Sequence, residues 1–233
     1  MTVLATRELE LSLLNGRRFV AGMDEVGRGA LAGPVSVGVA LVDTDCGEPP
    51  VGLTDSKLLT PAKRVALCEP IRQWVRASGV GHAFPGEIDA FGIVGGLRLA
   101  GQRALLQAIG GEHVALPDVI ILDGIHDWLT EPHADLISLA SEMPADQQWR
   151  AKGYATPPVR TQVKADMTCA VVAAASVLAK VERDALMVAQ EDPGYGWASN
   201  KGYAAAAHVD GLRRLGASTF HRRSWKLPGI EPR

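Results

Sequence analysis

The stretch from Arg18 to Val42, RFVAGMDEVGRGALAGPVSVGVALV, carries the reading on which the fold turns. Arg18 to Asp24 is a short apolar strand that ends in acid, and Gly33 to Val42 is valine-rich with a period of two in its first half. The glycine turn Gly27-Arg28-Gly29 lies between them, so the two runs are expected to form a hairpin. A dinucleotide-binding loop is the competing reading, because Gly27, Gly29 and Gly33 superficially match one. Against it, the spacing is GxGxxxG instead of GxGxxG, and a strand follows where a helix N-terminus would have to hold a pyrophosphate. A nicotinamide oxidoreductase needs strand, turn and helix here, and a hairpin would exclude it.

Working outward, MTVLATRELELSLLNG reads as a short helix with Thr6 as N-cap and Gly16 as stop. Its acidic residues and lack of a small-residue cleavage site set it apart from a secretory signal, and a cytoplasmic protein is expected. Downstream, Pro61 to Ser78 suggests a helix that Pro70 should kink or split. Val80 to Phe84 suggests a third strand and Gly86 to Ile109 a helix with an uncertain start. Asp118 to Asp123 is a continuous apolar run closed by acid and glycine, the form of a fully buried strand. Val159 to Val163 gives a fifth strand, a long helix follows from about Asp166 to Gln190, PGYGWASNKGY reads as a loop, and Ala204 to Leu215 as a last helix. The longest nearly apolar run, Cys169 to Ala179, is too short to cross a bilayer, so no membrane partner is expected.

With 233 residues, 47% hydrophobic and 21% charged, the chain can bury a core of its own as one main domain. Cys46, Cys68 and Cys169 show neither a CxxC pair nor zinc-finger spacing to a histidine, which argues against a disulfide framework or a structural zinc. The net charge of −2 is unevenly spread: from Lys201 onward there are seven Lys/Arg and two Asp/Glu, against seventeen and twenty-four before it. An acidic body can hold cations and a basic tail a polyanion, a combination suited to metal-assisted chemistry on nucleic acid. A solvated C-terminal helix explains the tail equally well.

Four acids stand at the ends of expected elements: Asp24, Glu25, Asp123 and Asp166. If the strands are neighbours, their ends gather these carboxylates, which repel one another unless cations lie between them. Hard oxygen ligands suit Mg²⁺ or Mn²⁺, and two such ions support in-line phosphoryl displacement. Singly, each acid has a plainer use, since Asp123 beside Gly124 is a common turn pair and Asp166 suits a helix cap. The combination favours the site.

The run Asp24-Glu25-Val26-Gly27-Arg28-Gly29 resembles the signature of bacterial ribonuclease HII, and further segments match that family in order. Leu53-Thr54-Asp55-Ser56-Lys57 resembles its TDSK loop, Ile121-Leu122-Asp123-Gly124 its third acidic strand, and Lys164-Ala165-Asp166 its fourth acid. Ala173 to Val181 with Arg183-Asp184 resembles its long helix, and Lys201-Gly202-Tyr203, His208 and His221-Arg222-Arg223-Ser224 its C-terminal part. The resemblance spans residues 20 to 225.

It implies a ribonuclease H-like α/β fold, a mixed five-stranded sheet flanked by helices, with residues 1–190 as catalytic domain and 191–233 as a small helical substrate-binding segment. It implies an endonuclease that hydrolyses the RNA strand of RNA–DNA hybrids and cuts duplex DNA 5′ to embedded ribonucleotides, leaving 5′-phosphate and 3′-hydroxyl ends, as a monomer. Asp24, Glu25, Asp123 and Asp166 would ligate Mg²⁺ or Mn²⁺. Gly27, Arg28 and Gly29 would read the ribose 2′-hydroxyl and Tyr203 would stack on the sugar, which fits discrimination against DNA. Lys57, Lys180, Arg222 and Arg223 would contact phosphates or form internal ion pairs, while His208 and His221 could equally be structural. A hybrid-binding protein without catalysis would keep the basic tail, but the intact acidic quartet argues against it.

Three departures stand out. The segment between Asp123 and Asp166 is longer than in the family and reads as an insertion containing Trp128, Trp149 and Tyr154, an ordered loop or short helix. Ile125 replaces a common asparagine, and AAAAH follows Lys201-Gly202-Tyr203 where proline and threonine are frequent. The tail KLPGIEPR shows no evident clamp-binding motif.

Overall fold

The computed structural model describes residues 4–110, 114–131 and 145–230. Helix α1 (Glu8–Leu14) leads into the hairpin of β1 (Val20–Val26) and β2 (Val35–Val42). Helix α2 (Pro61–Trp74), strand β3 (Ala77–Ala83) and helix α3 (Pro85–Ala108) follow, then β4 (Val119–Asp123), α4 (Gln147–Ala151) and β5 (Val159–Gln162). The chain closes with α5 (Ala165–Thr168), α6 (Ala170–Ala189), α7 (Trp197–Asn200) and α8 (Ala206–Leu215).

The sheet is five-stranded, in the order β3-β2-β1-β4-β5. β2 pairs antiparallel with both β1 and β3, whereas β4 pairs parallel with β1 and with β5. This is the expected mixed sheet, and the β1–β2 hairpin removes the strand-turn-helix on which the dinucleotide reading depended. Alternation along each strand divides the core into two layers. Val20, Ala40, Val42 and Ile121 face α6 and α2, while Ala21, Met23, Val37, Val39, Ile120 and Leu122 face α3. Helix α6 comes very near the sheet because Gly22 and Gly38 lack side chains. A Cβ at either would run into α6 backbone, at Val171 and Ala175.

Several boundaries differ from expectation. Helix α2 passes through Pro70 and ends at Trp74, not Ser78. Pro70 and Ala66, whose carbonyl the proline leaves unpaired, are both exposed, so water can serve that carbonyl. From Ala77 the chain is taken up by β2 in a full register. Helix α3 is two helices meeting at Gly92, whose φ is 71°. The long helix from Asp166 is likewise broken, at the extended Cys169, because Thr6 bridges there: its N–H donates to Thr168 O and its carbonyl accepts from Ala170 N. Thr6 is thus a bridge residue, and Arg7 occupies the N-cap of α1. The loop PGYGWASNKGY contains the single turn α7.

Of the segment read as an insertion, Trp128, Leu129 and Trp149 are buried against α3, and Trp149 lies on the short helix α4; residues 132–144 fall outside the described ones. The C-terminal segment builds a third cluster in which Tyr195, Trp197, Leu212 and Leu227 pack on Leu31, Ala32 and Met187. No described helix is long and apolar enough to cross a membrane.

Candidate active site

The parallel register of β1 and β4 ends at Met23 opposite Leu122, so one step further Asp24 stands beside Asp123. Both belong to the alternate positions that face α6, and there Ser176 hydrogen-bonds the Asp24 carboxyl. Asp166 arrives by another route. After β5 the backbone turns through Lys164 in the left-handed region, φ 56°, and starts α5, on which Asp166 lies buried. Asp123 Oδ1 accepts the Ala165 N–H at 2.8 Å and so ties the strand end to that helix. The loop after β2 adds a cation: Asp55 caps a short 3₁₀ turn, and Lys57 Nζ on that turn lies 3.3 Å from Asp166 Oδ2. The Ser176 and Ser56 hydroxyls, the latter in the same turn, are hydrogen-bonded at 2.9 Å. Glu25 alternates to the other face of β1 and meets Arg28 at 3.4 Å.

Electrostatics couple these groups. Burial, then the charges of Glu25 and Asp123, push the Asp24 carboxyl up to about 8. Burial, Asp123 and Asp55 raise Asp166 as well, against the pull of Lys57. Burial opposes the charge on Lys57, but Asp24, Asp55 and Asp166 together hold its ammonium above the ordinary value. Among the described residues no group of three or more His, Cys, Asp or Glu forms a site that could hold a metal as it stands. The four acids are neighbours coupled through charge, with the oxygen donors and the excess negative charge that suit a hard divalent cation.

The Gly27-Arg28-Gly29 turn leaves β1 next to Asp24 and Glu25. Gly27 has φ +82°, and a Cβ on it would overlap the Arg183 side chain. Its N–H donates to the Tyr203 hydroxyl at 3.2 Å, while the Tyr203 side chain remains partly exposed. Behind the turn, Arg222 is wholly buried and donates to the carbonyls of Gly27 (2.6 Å), Arg28 (2.7 Å) and Gly33 (3.2 Å). The side chain expected to meet phosphate or an ion-pair partner thus supports the turn from within.

Lys180 pairs with Asp184 at 2.8 Å on its own helix. Arg223 is exposed, with its backbone N–H on Asp89 and its guanidinium on the Ser218 carbonyl. The two histidines form a chain of defined tautomers. Ser218 N–H donates to His221 Nδ1, so the proton of His221 is on Nε2, directed at His208 Nε2 3.0 Å away. His208 then donates from Nδ1 to the Tyr203 carbonyl at 2.9 Å. Burial disfavours charge on both rings and holds His221 down at about 4.

Sequence reading overlooked Ser176, Asp55 and Arg183 as parts of this site. Arg183 had a signal, because it continues the buried line Val172, Ser176, Ala179 and Met187 at helical spacing, where a charge is out of place.

The Ribonuclease HII family model matches residues 21–228. Ribonuclease HII of Streptomyces avermitilis is 43% identical over 94% of this chain and 82% of its own length, and that of Nitrosococcus oceani is 38% identical over 94% and 92%. Among solved structures, ribonuclease H2 from Pyrococcus horikoshii superposes with a TM-score of 0.59 at 26% identity, covering 90% of this chain and 94% of the other.

Proposed function

The chain belongs to the ribonuclease HII family and is a ribonuclease H enzyme, and we propose that it cleaves the phosphodiester 5′ to a ribonucleotide, in RNA–DNA hybrids and at single ribonucleotides embedded in duplex DNA. The products would carry 5′-phosphate and 3′-hydroxyl ends. One observation supports this most: the β1–β4 register that sets Asp24 beside Asp123, with Asp166 tied to the same strand end and the Gly27 turn leaving from it.

Asp24, Glu25, Asp123 and Asp166 are the residues that would hold Mg²⁺ or Mn²⁺. Two such ions, when bound, supply an activated water and stabilise the leaving oxygen of an in-line displacement. The protein's own part is positioning. Asp123 keeps its orientation through Ala165, and Asp24 through Ser176. Lys57 offsets part of the carboxylate charge at Asp166. The backbone of Gly27, Arg28 and Gly29 together with the Tyr203 ring and hydroxyl read the 2′-hydroxyl, the group that DNA lacks. Lys180 and Arg223, with the basic segment 191–233, serve the duplex backbone. Arg222 serves indirectly, by shaping the turn. Three buried, unpaired cysteines agree with work in the reducing cytoplasm.

The test is cleavage of a labelled DNA duplex with one ribonucleotide, using Mg²⁺ or Mn²⁺, chelator, and Asp123→Asn. Metal-dependent cutting 5′ to the ribonucleotide, lost in the variant, is expected. A folded preparation that cuts neither this duplex nor a long hybrid with either metal would overturn the proposal.

A further inference from the structure

Two arginines stand apart from the chemistry described above and yet reach both parts of the recognition surface. Arg183 and Arg222 are wholly buried, and neither makes a salt bridge among the described residues. A guanidinium taken out of water without a counter-ion is costly unless its donors are met elsewhere. Here they are met by main-chain carbonyls.

Arg222 spends its donors on Gly27, Arg28 and Gly33, closing the turn on itself. Arg183 reaches across. Its Nε donates to Pro34 O at 2.9 Å and Nη1 to Lys201 O at 3.0 Å, and its guanidinium carbon is 5.5 Å from the centre of the Tyr203 ring. The absent side chain of Gly27 leaves the room through which Arg183 passes. One planar fork therefore touches the turn, the start of β2 and the tyrosine loop together. The backbone reinforces this join, with Gly202 O accepting from Leu31 N at 2.8 Å and Ala32 N at 3.2 Å.

We propose that Arg183 is a positioning residue for ribonucleotide recognition: it fixes the separation between the Gly27 N–H and the Tyr203 hydroxyl, while Arg222 fixes the shape of the turn alone. This rests on the reading of that turn and Tyr203 as the 2′-hydroxyl readers. A lysine keeps the charge of Arg183 but not the fork, because an ammonium is a compact point donor that cannot hold carbonyls in fixed planar directions.

The experiment measures kcat and KM on the single-ribonucleotide duplex for wild type, Arg183→Lys, Tyr203→Phe and the double variant, each checked for folding by thermal unfolding. Arg183→Lys should lower kcat at least tenfold with KM within about threefold, since placement at the reacting sugar, not duplex affinity, is lost. The double variant should be little worse than the poorer single one, because both changes break the same placement. Unchanged kcat in folded Arg183→Lys, or effects that multiply in the double variant, would overturn the role.

A second measurement covers a lysine variant that does not fold. In Asp123→Asn protein, the guanidinium NMR signals of Arg183 should shift with the ribonucleotide duplex and not with the all-DNA duplex; equal shifts, or none, would overturn it. If wild type cuts no ribonucleotide substrate, the recognition reading falls and this inference with it. If wild type cuts and Arg183→Lys cuts equally, the inference alone falls.

Discussion

The carboxylate of Asp123 accepts the backbone N–H of Ala165 at 2.8 Å, one residue before Asp166. The end of β4 and the start of α5 are thereby joined through one candidate ligand, which has a structural task beside the chemical one proposed for it. These separate by substitution. Asp123→Asn retains an oxygen acceptor for Ala165 and should fold as wild type, but should lose at least a hundredfold in cleavage rate. Asp123→Ala should lose the activity and also about 1 kcal/mol of stability through the unpaired N–H. Paired thermal unfolding and cleavage assays check this, and equal stability of the two variants would deny the capping role.

Cation binding should be visible without turnover. A divalent ion bound only by the folded protein stabilises it, by about 2.7 kcal/mol at a hundred times its Kd. Unfolding in Mn²⁺ should therefore occur at a higher temperature than in chelator, and Asp24→Asn and Asp123→Asn should each abolish most of the increase. A full shift in both variants would remove these residues from the ligand set.

The two glycines of the turn should respond differently to alanine. Gly27 is at φ +82° with Arg183 against it, so Gly27→Ala should cost about 2 kcal/mol or more and disturb recognition. Around Gly29 nothing lies within 4 Å of a built Cβ, and its φ is not positive. Gly29→Ala should fold normally, so any loss in KM or kcat would report the close approach of substrate. Wild-type kinetics in Gly29→Ala would mean that the turn meets substrate elsewhere.

A titration far from the turn should shape stability against pH. Glu10 on α1 is wholly buried and accepts from Val171 N at 2.6 Å, and burial raises it from 4.5 to about 7 despite that bond and Arg7. With the folded value above the ordinary one, its stabilising contribution is complete below pH 4.5 and is lost as pH rises through 7. Glu10→Gln stays neutral. Its stability relative to wild type should grow between these values by about 3 kcal/mol, measured by denaturant unfolding at several pH values. A flat difference would show that Glu10 is not held against ionisation.

Much of this was legible in the chain itself. The valine run after the glycine turn announced β2, and the apolar run to Asp123 announced β4, because side-chain alternation and burial write themselves into sequence at short range. The breaks at Cys169 and Gly92 were less visible. The first depends on Thr6, more than a hundred and sixty residues earlier, entering between α5 and α6. The passage of α2 through Pro70 depends on which side of that helix faces water.

For the site, sequence marked out the candidate residues: the four acids, the glycine turn and Tyr203 are chemical types at recognisable positions. Tertiary structure decided their relations. The parallel register set Asp24 beside Asp123, alternation turned Glu25 to the other face, and Arg222 went beneath the turn instead of to the surface. Arg183 became the link to Tyr203 only because α6 lies against the glycines of the sheet. Residue type fixes what a group can bond, but its partners depend on distances across the fold, which arise only when strands register and helices pack.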